Sequence, residues 1–250
     1  MTKWLLIGLI GIGLLVFLVD RLPLYELIVS TKHNYKREDV PGLYTIPDIE
    51  KDLSSISCSF ISAFDQRIHL GTLFLFLPKE GLLQIKDKSQ NNLSPIFHIT
   101  YSDGRTFVVT PVSLDLNKLL PAKEYKHEFN DWFFAELKLS DRKEILEFIL
   151  SVSPDNLSFF DKPIVIISKN IALRFKYSMV PLDATEAYRF NINNRIAGFQ
   201  FGSENDRGGL IFVHVIDKKG KHLQLTFKSF KEREISCILK YIQPTDKALS

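Results

Sequence analysis

The sequence predicts an α+β protein: an N-terminal transmembrane helix followed by two similar, mostly antiparallel β domains, each closed by a C-terminal amphipathic helix. Three observations predict it. Residues 4–19 form an uncharged apolar run. Short segments of alternating apolar and polar residues follow, separated by turn signals. One of these alternating stretches occurs twice.

The apolar run, WLLIGLIGIGLLVFLV, sits between Lys3 and Asp20-Arg21. Sixteen residues are short for a span and long for the core of a signal peptide. The positions after Val19 lack the small residues that a cleavage site needs, and no cysteine nearby could take a lipid. The reading is an uncleaved single-span anchor over residues 1–21, with a linker over 22–50 that holds Pro23, Pro41 and Pro47. Lys3 stands alone before the run, while Arg21, Lys32, Lys36 and Arg37 follow it. A literal positive-inside count would keep the globular part in the cytoplasm. Asp20 neutralises Arg21, however, and the short basic head has the layout of an export signal, so an extracytoplasmic globular part is favoured.

The first domain is read over 51–157. SISCSFISAF and IHLGTLFLFL alternate as strands; Pro78 to Gly81 then turn the chain into LLQIKDK as a hairpin. PIFHITY and TFVVTPV flank Ser102-Asp103-Gly104-Arg105, a second hairpin signal. After a polar stretch, Asp141 can cap a helix over 141–152. Glu144 lies three residues on, and Ile145, Phe148, Ile149 and Val152 share one face. The second domain is read over 158–250, with strands in IVIIS, IALRFKYSM, AYRFNIN and IAGFQFG. A hairpin and a helix over 230–243, with Ile235, Ile238, Leu239 and Ile242 at helical spacing, complete it.

IFHITYSDGRTFVVT (96–110) and FVHVIDKKGKHLQLT (212–226) align without a gap. His98 meets His214, Gly104 meets Gly220, Arg105 meets Lys221 and Thr110 meets Thr226. The closing helices also match, Ile145 with Ile235 through Pro154 with Pro244. The offset falls from 116 to 90, which places 26 extra residues in the first copy, around Asp115 to Asn130. Self-similarity in a fixed order is the mark of duplication. The alternative is one α+β domain in which hairpin-then-helix recurs because that order is common.

A small sheet closed by a terminal helix, with the turns Asp103-Gly104-Arg105 and Lys219-Gly220-Lys221, resembles tandem pleckstrin-homology-like domains of bacterial type over about residues 51–245. The resemblance implies a binding or scaffolding protein rather than an enzyme. The sequence departs from that pattern in the long insertion of copy one and in having no basic cluster between the first strands.

Function classes narrow further by what is present. Lys and Arg exceed Asp and Glu by only three across 250 residues, which gives no reason to expect a nucleic-acid partner. Two cysteines are too few for a disulfide scaffold or a paired-cysteine metal site. Cys58 and Cys237 could pair in an exported domain. Against this, Cys237 falls nearly opposite the apolar face of its helix, and Cys58 points with Ile56 and Phe60 toward a core. His98 and His214 have apolar neighbours and are read as packing residues. His222, with Thr106 as its counterpart, is read as an exposed hairpin residue. Glu204 to Gly209 reads as a β-turn rather than a metal loop. No catalytic, cofactor-binding or metal-binding residue is assigned.

The candidate contacts for a protein partner or an anionic lipid are Lys218, Lys219, Lys221 and His222 at the second hairpin tip, with Trp132 and Phe133 beside the insertion. The leading expectation is a membrane-anchored, non-enzymatic protein-binding module, either an envelope assembly component or an immunity-type protein. The membrane would be met through residues 4–19. A cytoplasm-facing protein that binds anionic lipid, and an enzyme with an unrecognised site, are the alternatives. Nothing sets the oligomeric state.

Overall fold

A computed structural model describes residues 21–59, 64–89, 96–113, 135, 137–139, 141–192 and 194–245. Eleven strands are described, eight of them in one sheet of order β1-β7-β8-β9-β10-β6-β5-β4. These are β1 (Ile49–Glu50), β4 (Leu82–Asp87), β5 (Phe97–Tyr101), β6 (Thr106–Pro111), β7 (Ala187–Ile192), β8 (Ile196–Phe201), β9 (Leu210–Asp217) and β10 (His222–Lys228). All neighbours are antiparallel except β1 and β7. A smaller sheet of order β11-β3-β2 combines β2 (Gln66–His69), β3 (Leu73–Leu77) and β11 (Gln243–Pro244).

The two expected β domains are therefore one sheet. β6 from the first half pairs with β10 from the second, Leu223 opposite Pro111 through Lys228 opposite Thr106. This pairing consumes the edge each half would otherwise expose, and an open edge is what a half-sheet must cover. Two further strand expectations change for local reasons. Gly71, at φ 83°, turns the chain within IHLGTLFLFL, so that stretch is the hairpin β2–β3 rather than one strand. LLQIKDK then pairs with β5 and not with the strand before it.

IVIIS and IALRFKYSM are not strands but the single helix α3 (Pro163–Met179). Tyr177 is exposed, which breaks the alternation that suggested a strand. Its buried positions include Ser168, Asn170 and Lys176, so the helical period of its core face is not purely apolar. Each polar member is satisfied inside. Ser168 donates to Ile164, Asn170 donates to Thr31, and the Lys176 ammonium donates to the carbonyls of Leu43, Thr45 and Val152 at 2.8–3.0 Å. Burial lowers the Lys176 pKa to about 7, while three carbonyls accept all three ammonium hydrogens.

The sheet has a core on each face. On one face, α4 (Glu232–Lys240) and the small sheet enclose Leu75, Leu77, Phe107, Val109, Val213, Leu225, Phe227, Ile235, Ile238 and Leu239. Phe107 and Phe227 stack at 4.7 Å. On the other face, α1 (residues 21–34), α2 (Arg142–Ser151) and α3 cover Phe199, Phe201 and Ile216 with Ile28, Leu146, Ile149, Ile166 and Leu173. Asp141 caps α2 by accepting the Glu144 amide at 2.8 Å.

Residues 22–50, expected as a linker, carry most of α1, a 3-10 turn at Pro41–Leu43 and β1. Ile28 and Leu43 enter the second core. The N-terminal transmembrane helix is corrected, and with it the signal anchor and the single-pass membrane placement. Among the described residues, no helix is long and apolar enough to cross a membrane. The reason is visible in the sequence of the helices: α1 carries Glu26, Lys32 and His33, and α3 has 17 residues with Lys176 and Asn170 on its buried side. Residues 4–19 lie outside the described residues, as do Trp132 and Phe133.

Cys58 and Cys237 are paired in a disulfide, with Cα atoms 5.7 Å apart. Cys237 does lie away from the apolar stripe of α4. Residues 53–58, however, run as a strap over that side. Lys240 donates to the carbonyls of Ser54 and Ile56, and Arg233 to that of Ser57. The strap buries Ser236 and Cys237 almost completely.

Candidate functional site: a basic cleft at the second hairpin

β9 and β10 meet in a tight turn. Gly220 takes φ 75°, a backbone region in which a side chain would be strained, and its amide donates to Asp217. One oxygen of the Asp217 carboxylate accepts the amides of Lys219 (2.9 Å) and Lys221 (2.8 Å). Its other oxygen accepts the Thr72 hydroxyl. Lys221 reaches back and donates to the Leu70 carbonyl at 2.9 Å. The tip is thus pinned on both sides, and Lys218 and Lys219 are left exposed on it.

Beside this tip lies a cleft of about 620 Å³. Its walls are three element ends: the β9–β10 turn, the β7–β8 turn with Asn194 and Arg195, and the start of α2 with Asp141, Arg142 and Lys143. Gly220 packs on α2, since a Cβ there would sit 3.9 Å from the Arg142 Cβ. Part of the floor is one cross-strand row: Asn191 opposite Ala197, and Ala197 opposite Ile216. Residues directly opposite in antiparallel strands point to the same face.

The cleft carries an excess of positive charge. Arg142, Lys143, Arg195, Lys218 and Lys219 face two carboxylates, Asp141 and Asp217. Both carboxylates are already committed, to the cap of α2 and to the Gly220 turn. The positive end of the α2 dipole adds to the same field. Lys143 also approaches Glu147 at 3.7 Å along α2.

No family model, curated protein or solved structure matches this chain.

Four residues predicted at the tip divide into three roles. Lys218 and Lys219 line the cleft. Lys221 is a strut, and burial lowers its pKa despite the nearby Asp217 charge. His222 is not exposed: it is 2% accessible and lies on the sheet face that carries α3. His214, two residues before Ile216, is fully buried, and its Nδ1 lies 3.0 Å from Nε2 of His222. Nε2 of His214 lies 2.7 Å from the carbonyl oxygen of Met179 at the end of α3. Burial pushes the His214 pKa down to about 4, partly offset by that carbonyl. Burial, His214 and Arg142 hold His222 well below the usual histidine range.

His98, the counterpart of His214, is half-buried on β5 opposite Lys86 and Val108. The acidic segment at Glu204 is a turn, as expected. Asp206 accepts the Ser203 amide and the Thr185 hydroxyl, and among the described residues no cluster has the make-up of a metal site. Sequence reasoning missed Arg142, Lys143, Arg195, Asn191 and Asn194. The pair Arg142-Lys143 directly after a capping aspartate was a signal for cations at a helix start. Arg195 gave none, because only the tertiary fold brings its turn beside Gly220.

Proposed function

We propose that the protein is a binding module, not a catalyst, and that the basic cleft takes an acidic segment of a protein partner. The observation that carries this reading is the unbalanced charge of the cleft lining: Arg142, Lys143, Arg195, Lys218 and Lys219 against Asp141 and Asp217. Opposite charge on a partner would steer encounter and fix register. The shape narrows the class. The cations surround a concave space whose lining includes Ile196, Ala197 and Ile216, with the amides of Asn191 and Asn194 at its side. A recess of mixed character suits a chain with side chains better than a flat bilayer surface. The net charge of only +3 over the whole chain matches a local patch rather than a broad basic face.

Fluorescence anisotropy of a labelled glutamate-rich peptide tests the reading. Saturable binding that weakens with added salt, and is lost in the variant K218E with K219E, is expected. Equal binding by that variant would refute the cleft as the site. Binding to anionic vesicles with no binding to the peptide would refute the partner class.

A further inference from the structure

The floor of the cleft is uneven, and the strand register locates its lowest point. Asn191 lies opposite Ala197, and Ala197 opposite Ile216. Residues directly opposite in antiparallel strands share a face, as do residues two apart along one strand. Ala197 is therefore bordered by Asn191 and Ile216 across the strands and by Phe199 along β8, all of them larger side chains. Ile216 and Phe199 are buried in the second core, whereas Ala197 is half-buried. A methyl group set among longer neighbours leaves a depression. Here it opens into the cleft, because Ala197 and Ile216 both line it.

The cations stand elsewhere. Arg142, Lys143, Arg195 and Lys218 belong to the element ends that form the walls, and all four are exposed. Asp141 and Asp217 lie on the same walls. The cleft thus has charge at its rim and hydrocarbon in its floor. An extended segment directs successive side chains to opposite sides. When one side chain points to the floor, the residues before and after it point to the rim. A carboxylate on the floor would shed its water against the methyl groups of Ala197 and Ile216, which costs free energy. An aliphatic side chain there buries apolar surface instead. Its two neighbours are then placed where opposite charge meets them.

We infer that the cleft selects an acidic segment in which an aliphatic residue is flanked on each side by an acidic one. Ala197 sets this preference by leaving room for the aliphatic side chain. The inference rests on the reading of the cleft as a site for an acidic segment, and adds what such a segment carries between its charges. Asn191 and Asn194, at the side of the floor, each offer an N–H donor and a carbonyl acceptor to the backbone of that segment.

Two labelled peptides of equal charge test this on the full chain, one alternating glutamate with leucine and the other alternating glutamate with serine. By fluorescence anisotropy, the wild-type protein should bind the leucine peptide about tenfold more tightly. Added salt should weaken both in parallel, because their charge is the same. Ala197→Ile fills the depression with a side chain that strands favour. It should cut the leucine-over-serine ratio to about twofold or less, and keep the serine peptide within about twofold of wild-type binding. Should that variant fail to fold, Ala197→Val, which adds less volume, takes its place with the same expectation. Equal binding of both peptides by the wild type, or a ratio retained in the folded variant, would overturn the inference and leave the cleft assignment standing. No binding of either peptide by the wild type would overturn both.

Discussion

Residues 96–110 and 212–226 form the same hairpin in two settings. His98 lies opposite Val108 and His214 opposite Gln224, the same separation in each. Gly104 and Gly220 both take positive φ, 85° and 75°, and both donate to the residue three before them. The two hairpins lie side by side through β6 and β10, where Val109 faces Leu225. Those two residues are each other's counterparts in the alignment, so a local two-fold axis passes between them. Beyond the axis the symmetry ends. The helices that follow go to opposite faces, α2 to the second core and α4 to the first. At the first tip, Arg105 is consumed by Asp103 and Glu234 and lies over Tyr101 and Phe230. At the second, Lys218 and Lys219 face a cleft. Identical backbone geometry thus carries different chemistry, because what packs against each hairpin decides which groups are left to act.

The largest expected difference is between the helices. Replacing Cys58 and Cys237 with Ala frees the strap over α4 and should lower stability by about 2–5 kcal/mol, read by urea denaturation. α2 has no equivalent strap in the described residues, so the loss should be felt first by probes on α4. Next come the paired histidines. His214→Ala removes a buried ring that ties β9 to α3 and should cost about 3 kcal/mol, whereas His98→Ala should change stability by about 0.5 kcal/mol. Equal costs would break the claim that the two settings differ.

The same pair sets an acid limit. The folded pKa of His214, about 4, lies below the ordinary value of 6.5 that it regains on unfolding. The unfolded chain therefore holds the extra proton between those values. Stability is complete above pH 6.5 and falls as pH drops toward 4, by an amount on the order of 3 kcal/mol. A denaturation series across that window checks it. A flat profile would mean that His214 is protonated in the fold. The smallest difference should be at the glycines: Gly104→Ala and Gly220→Ala place a side chain in the same left-handed backbone and should each cost about 1 kcal/mol. Unequal costs would show that the turns are not equivalent.

Local signals in the sequence read the hairpins at 96–110 and 212–226, their turns and the Asp141 cap, because those depend on residues a few positions apart; the hairpin expected at Pro78 to Gly81 does not form, since β4 pairs with β5. The joining of both halves into one sheet was not legible, since pairing of β6 with β10 leaves no mark that distinguishes it from two separate sheets. α3 was misread because its core face carries Lys176 and Asn170, whose partners come from distant segments. His222 was misread for a related reason: a histidine beside a lysine-rich turn has the composition of an exposed tip, and only α3 covering that face makes it interior. Of the cleft, the sequence disclosed Lys218 and Lys219. It hid Arg195 and the approach of α2.

The most direct test of the account sets matched positions of the two tips against each other. Lys218 of the second hairpin aligns with Ser102 of the first. A glutamate-rich peptide should lose binding by about tenfold or more in Lys218→Glu and change by less than about twofold in Ser102→Glu, measured by anisotropy at low salt. Equal losses at both tips, or none at either, would contradict the assignment of binding to the second hairpin.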